Sequence, residues 1–175
     1  RGHGRGSVKA VGVLSAIALA LALQTTLARL LVGGSAAIDL VLVAVVGVAL
    51  TTGPLSGMLA GSAAGLIQDA LSSGVIGIGG LAKSIVGYLA GTLGQQFIVT
   101  AALPRLVMFL GATALHAAVF MGLYVLLDLR SFPSPYAAVA TQAVGNALVG
   151  VVLFQLIEWV PGLVESRRAR RHRKR

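Results

Sequence analysis

The sequence has no cysteine, which excludes disulfides, thiol nucleophiles and cysteine-ligated metals. Acid is almost as scarce. The five carboxylates, Asp39, Asp69, Asp128, Glu158 and Glu165, are scattered, and most fall at expected helix ends. No phosphate-cradling Gly-Lys-Ser/Thr loop, His-Glu-x-x-His pair or Gly-x-Ser-x-Gly elbow occurs, so neither an enzyme nor a bound cofactor is expected. Aromatic residues make up 5% of the chain, too few for an aromatic ligand box. Charged residues make up only 11%, against about 25% in a soluble domain. A chain this poor in charge cannot cover itself for water.

What is present is apolar length. Hydrophobic residues reach 57% of 175 and the mean hydropathy is +0.91. About 20 helical residues cross a hydrocarbon core. The predicted architecture is therefore all-α: one integral membrane domain over 1–175, a polytopic six-helix transmembrane bundle. Its helices are expected near 8–31, 38–52, 54–72, 77–99, 104–128 and 136–160, followed by a basic tail over 165–175. Trp159 is expected to anchor the last helix at the interface before Pro161-Gly162. The basic start and first apolar run could also be read as a secretory signal, but the run outlasts a signal core and a retained span is favoured.

The net charge of +9 sits mainly in RGHGRGSVK and SRRARRHRKR at the two ends. Basic flanks of membrane spans follow the positive-inside rule and attract anionic headgroups, which places both termini in the cytoplasm. Nucleic acid is not the expected partner. Two cytoplasmic ends require an even number of crossings, so Ile38–Leu71 is split at Gly53-Pro54. The resulting second helix is short for a bilayer; local thinning, packing against neighbours or partial re-entry could accommodate it.

The most distinctive stretch runs from Gly57 to Gly94. Gly57, Gly61, Gly65 and Asp69 follow one another at four-residue steps, each about 40° past a full turn, so they form one slanting ridge. Gly80, Ser84, Gly87, Gly91 and Gly94 alternate four- and three-residue steps, the 3.5 period of a left-handed helix pair. In lipid, small residues let backbones approach closely. This predicts two tightly packed helices joined by Ser72-Ser73-Gly74, whose bare faces organise the bundle and shape a partner surface. Gly77 follows in the same connection.

Polar residues inside the spans must be satisfied there. Asp69 and Lys83 face each other across the short turn and are expected to clamp the hairpin; a proton or ion path is the sharper reading. His116 reads as a hydrogen-bonded packing residue, and with His3 and His172 in the tails no metal site is completed. Gln142, Asn146 and Gly150 make an inward strip on the sixth helix, either bundle glue or the lining of a small-molecule cavity.

The run Ala36-Ala37-Ile38-Asp39, then Gly-Pro, then Gly57-x-x-x-Gly61-x-x-x-Gly65-Leu-Ile-Gln-Asp69-Ala-Leu-Ser-Ser-Gly74-x-x-Gly77, then Leu81-Ala82-Lys83-Ser84 resembles the rod shape-determining protein MreD family. The resemblance implies a bundle similar to the substrate-binding S-components of energy-coupling-factor (ECF) vitamin transporters. It also implies a non-enzymatic role in the bacterial elongation complex in the inner membrane, binding single-span MreC alongside MreB filaments and the lateral peptidoglycan synthases. The alternative is an S-component proper, with Gln142 and Asn146 contacting a vitamin.

Overall fold

The computed structural model describes residues 3–30, 38–72, 74–97 and 101–172. They form six helices: α1 His3–Leu30, α2 Leu40–Thr52, α3 Pro54–Leu71, α4 Ile78–Gln96, α5 Ala102–Leu126 and α6 Tyr136–His172. Gly33-Gly34-Ser35, Ala36-Ala37 of the motif, Ser73 of the expected turn, the expected end of the fourth helix at 99, and residues 173–175 of the tail lie outside the described residues.

The short second helix is the axis of the bundle. Among the described residues α2 touches α1, α3, α4, α5 and α6, and its buried residues Val41, Leu42, Val43, Val45, Val46, Val48 and Ala49 point to every side. A helix that is apolar all round belongs in a core. Its thirteen residues are shielded by its own neighbours, so packing accommodates the short length.

Gly53 ends α2 and caps α3 with φ +99°, a conformation that is strained for any residue with a Cβ. Pro54 then takes the first helical position, where its missing N–H is no loss. The chain reverses there within one residue.

α3 and α4 form the tightest pair, and the glycine faces meet each other. A Cβ on Gly57 would come within 2.5 Å of the Gly87 carbonyl oxygen; one on Gly65 would come within 2.5 Å of Gly80 Cα; one on Gly91 would come within 2.5 Å of Pro54 Cα. A Cβ on Gly61 would overlap the Lys83 carbonyl. The backbones are as close as they are only because these side chains are missing. The expected tight pairing of the two glycine-bearing helices is what the structure shows, with Gly94 of the seam turned instead to Leu50 of α2.

The outer surface is the reverse of a soluble protein's. Leu55 and Leu59 on α3, Leu103 and Val107 on α5, and Val144, Leu148 and Val152 on α6 are exposed, whereas Asp39, Lys83, Arg105, Thr113, His116 and Asn146 are buried. Scattered exposed leucines are ordinary, but a surface of them over an interior that holds these charged and polar groups matches hydrocarbon as the surrounding medium. α5 and the Tyr136–Ile157 portion of α6 are long and apolar enough to cross a membrane.

Several boundaries differ from the sequence expectation: α1 begins at His3 rather than 8 and α2 at Leu40 rather than 38. α5 begins at Ala102 rather than 104, with Pro104 inside the first turn where no intrahelical N–H is needed. α6 runs on to His172 rather than stopping near Val160. Pro161 removes one backbone bond, and the run after it carries good helix formers in Leu163, Glu165, Arg167, Arg168, Ala169, Arg170 and Arg171.

Gly61→Leu drives its side chain into the Lys83–Ser84 backbone and is expected to lower stability by about 3 kcal/mol or more. Gly111→Leu is the control, since a Cβ there meets nothing within 4 Å. Thermal unfolding of the purified protein in detergent should separate the two variants; equal midpoints would contradict the close-packed seam.

Candidate functional site

The polar groups buried in this bundle converge at the start of α2. Asp39 is its N-cap: the carboxylate accepts from the Leu42 amide at 2.9 Å, satisfying a donor that the helix itself leaves open. The other carboxylate oxygen pairs with Lys83 Nζ of α4 at 2.9 Å. Lys83 Nζ also lies 3.3 Å from His116 Nε2 on α5. An ammonium has only protons to give, so Nε2 accepts and the proton of this imidazole is on Nδ1. The His116 ring stacks on Phe120 at 5.7 Å, which fixes its plane.

The network continues on the backbone side of Asp39. Its N–H donates to Asn146 Oδ1 of α6 at 2.8 Å, Asn146 Nδ2 donates to Thr113 Oγ1 at 3.1 Å, and the Thr113 hydroxyl donates to the Phe109 carbonyl at 2.9 Å. From α1, Gln24 closes the same corner, donating to the Ile38 carbonyl at 3.1 Å and accepting from the Leu40 amide at 2.8 Å. One connected set of bonds therefore ties α1, α2, α4, α5 and α6 together. Asp39, Lys83 and His116 are 5%, 3% and 7% exposed, and Asn146 is fully enclosed.

Burying an ion pair is costly unless geometry is good and the remaining donors and acceptors are met. Both conditions hold for Asp39 and Lys83. The chemistry available is that of a closed, self-satisfied clamp. Among the described residues no group of three His, Asp or Glu side chains comes together as a metal site.

The expected Asp69–Lys83 clamp is therefore corrected. Lys83 reaches past the hairpin to Asp39, and Asp69 has other work: its Oδ2 accepts from the Gly77 amide at 2.9 Å and the Gly80 amide at 3.2 Å. A carboxylate at the positive end of a helix is stabilised by the aligned dipoles and open N–H groups there, so Asp69 on α3 caps α4. Gly79 makes room, because a Cβ at that position would strike the Asp69 carboxylate. Gly77, at φ +107°, turns the chain into α4. Gly74 lies beside the Tyr124 hydroxyl, which accepts from the Val75 amide at 3.2 Å.

The remaining predicted residues fall as follows. Gly57, Gly61, Gly65, Gly87 and Gly91 lie in the α3–α4 contact, and Ser84 donates back to the Gly80 carbonyl at 2.7 Å. His116 and Asn146 lie in the clamp. Gln142, one turn before Asn146, is partly buried. Both amide atoms of Asn146 are engaged, to Asp39 and Thr113, and its side chain is fully enclosed.

Sequence reading missed Gln24, Thr113 and Arg105 as structural partners, and it missed the ion-pairing of Asp39. The cap was findable, since Asp immediately before an apolar run is a helix-start signal. Its pairing across 44 positions with Lys83 left no local trace. Arg105, buried on α5 with its guanidinium 4.9 Å from the Phe154 ring centroid, was signalled only as a lone cation in an apolar span.

Removing one partner of a buried pair leaves an uncompensated charge and costs about 3–5 kcal/mol. Asp39→Asn, which keeps the cap, and Lys83→Met should each destabilise by that order, and the double variant by clearly less than the sum. Denaturation of all four proteins checks this; additive losses would show that the two groups do not interact.

The family model for rod shape-determining protein MreD matches residues 7–163, a span that holds the clamp, the glycine seam and every helix at least in part. No curated protein and no solved structure matches the chain significantly. With nearly its whole length matched and its polar groups turned away from an apolar exterior, the chain belongs to the MreD family of membrane proteins that act in determining rod cell shape.

Proposed function

We propose that this protein is a non-enzymatic scaffold of the bacterial elongation complex that binds the single-span protein MreC within the bilayer and so helps direct lateral peptidoglycan synthesis. The family match carries this reading. Two physical features support it. The described helices are joined by short connections, so most of the surface on offer is the exposed Leu and Val of the helices themselves, and a partner that recognises it must do so in lipid. The buried network around Asp39 and Lys83 ties five helices together, which suits a rigid bearing surface.

In this reading Gly57, Gly61, Gly65, Gly87 and Gly91 act indirectly, by locking α3 to α4 and so fixing the relative positions of their outer side chains. Asp69, Gly74, Gly77 and Ser84 hold the turn, and Lys83 ties the pair to the axis. The basic ends of the chain place both termini in the cytoplasm, with six crossings of the inner membrane. A bundle of the ECF S-component kind is the proposed class, supported by the count of six helices.

Photo-crosslinking residues placed singly at Leu59, Val107 and Leu148, exposed on three different helices, should yield an adduct with MreC in native membranes from at least one face. The same residue at buried Ala64 should yield none. Absence of an MreC adduct from every outward position would overturn the scaffold reading.

A further inference from the structure

The clamp lies near one end of the bundle. Asn146 of α6 meets the start of α2 and Phe154 lies beside Gly47, so α6 begins at the clamp's end of α2. Gly57 lies against Ala49, so α3 also finishes at that end. The α3–α4 turn and the 127–135 connection between α5 and α6 therefore close the bundle above Asp39 and Lys83. On α5 only eight residue steps, about 12 Å of helix, separate His116 from Tyr124 at that surface.

A line of rings fills this interval. His116, Phe120 and Tyr124 follow one another at four-residue steps and share a face of α5. His116 stacks on Phe120 at 5.7 Å, Phe120 meets Tyr124 at 4.9 Å, and Tyr124 and Phe132 meet edge to face at 6.0 Å. All three separations are those of rings in favourable contact. The inner end of the line touches the clamp, with Lys83 Nζ 3.3 Å from His116 Nε2. At the outer end the exposed Arg130 guanidinium lies 5.3 Å from the Phe132 centroid. Tyr124 is also fastened to the α3–α4 turn, its hydroxyl accepting from the Val75 amide at 3.2 Å. Aromatic residues gather at bilayer interfaces as anchors, but anchoring does not call for an unbroken line inward to a buried ammonium.

The outermost ring is loosely held. Among the described residues, those from Arg130 to Ser134 make no hydrogen bond to the bundle. The connection is entered through Asp128 at φ +52° and left through Ser134 at φ +55°, left-handed conformations that a residue with a Cβ occupies at a cost. Asp128 offsets part of its cost by closing α5, where the Leu129 amide donates to the Tyr124 carbonyl at 2.9 Å. Nothing of the kind offsets Ser134. One ring contact thus stands against backbone strain, and a segment held this way opens more easily than the helices beneath it.

We propose that the 127–135 connection is a strap that opens and closes over an aromatic seal, with Phe132 as its movable cap, and that the seal controls the access of water to the Asp39–Lys83 pair. Contact made with Arg130 or Phe132 from outside is thereby carried to the clamp. The device does not depend on MreC binding.

The test is the exchange of the Lys83 ammonium protons into deuterated water, followed by magnetic resonance on the full chain in bilayers with nitrogen-15 in the lysine side chains. The signal lost in Lys83→Met is that of Lys83. A buried ammonium exchanges through the open state, so its rate reports the open population. Phe132→Ala removes a ring pair whose strength corresponds to a change of up to about tenfold in that population, and exchange faster by that order is expected with the wild-type thermal midpoint retained. Ser134→Gly relieves the strain of the closed strap and should slow exchange. Phe120→Ala breaks the line itself and should speed exchange at least as much as Phe132→Ala. Phe97→Ala, which removes an exposed ring at the opposite end, should leave the wild-type rate. Wild-type exchange as fast as that of a free amine, or exchange unchanged in Phe132→Ala, would overturn the proposal. A lowered midpoint in Phe132→Ala would make the ring ordinary packing and overturn it too, as would equal acceleration by Phe97→Ala.

Discussion

An ion pair surrounded by hydrocarbon holds this fold in register. Asp39 and Lys83 come from distant parts of the chain and meet at 2.9 Å in a place where neither could stand alone. In a bilayer the hydrophobic effect does not sort one helix against another, because lipid tails are as apolar as the helix sides. What does discriminate is the penalty on an unmatched charge or amide. Every alternative arrangement of α2 that leaves Lys83 or Asn146 unsatisfied carries that penalty, and the arrangement described here meets both. The clamp thus does for this bundle what selective burial of apolar residues does for a soluble one.

Close packing and the clamp depend on each other. Lys83 reaches Asp39 from a helix whose backbone is pressed against α3, its own carbonyl lying where a Cβ on Gly61 would be. Asp69 fixes the start of α4 by taking the Gly77 and Gly80 amides, which sets the height at which Lys83 projects. The glycines supply proximity and the carboxylates supply position. A side chain added to the first or an amide lost from the second shifts Lys83 relative to its partner, so sites that appear to be separate motifs in the sequence act as one mechanical unit. The outward leucines and valines inherit their positions from it, and any partner that reads the helix faces reads the interior indirectly.

Much of this was legible in the residues, and the reason differs by feature. The six helices, the break at Gly53-Pro54 and the pairing of α3 with α4 were readable because glycine spacing, proline position and apolar run length are local signals. The role of Asp69 was half readable: its place opposite α4 was right, but a carboxylate there has two kinds of donor, a side chain and the open amides of the next helix, and sequence does not rank them. The Asp39–Lys83–His116 arrangement was not readable, because it depends on which helix fills the centre. A thirteen-residue segment looked like a defective span; only when five neighbours surround it does its shortness place Asp39 inside the bundle, level with Lys83. The run of α6 past Pro161 shows the opposite error, a local stop signal outweighed by the helix formers around it.

The most direct test is a solid-state magnetic resonance distance measurement on the protein in bilayers, with nitrogen-15 in the lysine side chain and carbon-13 in the aspartate carboxyls. The chain has three lysines, Lys9, Lys83 and Lys174, and the Nζ signal that is lost in Lys83→Met is assigned to Lys83. Strong dipolar dephasing by a carboxyl carbon that disappears in Asp39→Asn and survives in Asp69→Asn is the predicted result. Dephasing that survives the loss of Asp39 and disappears with Asp69 would place the ammonium back on its own hairpin and contradict the account.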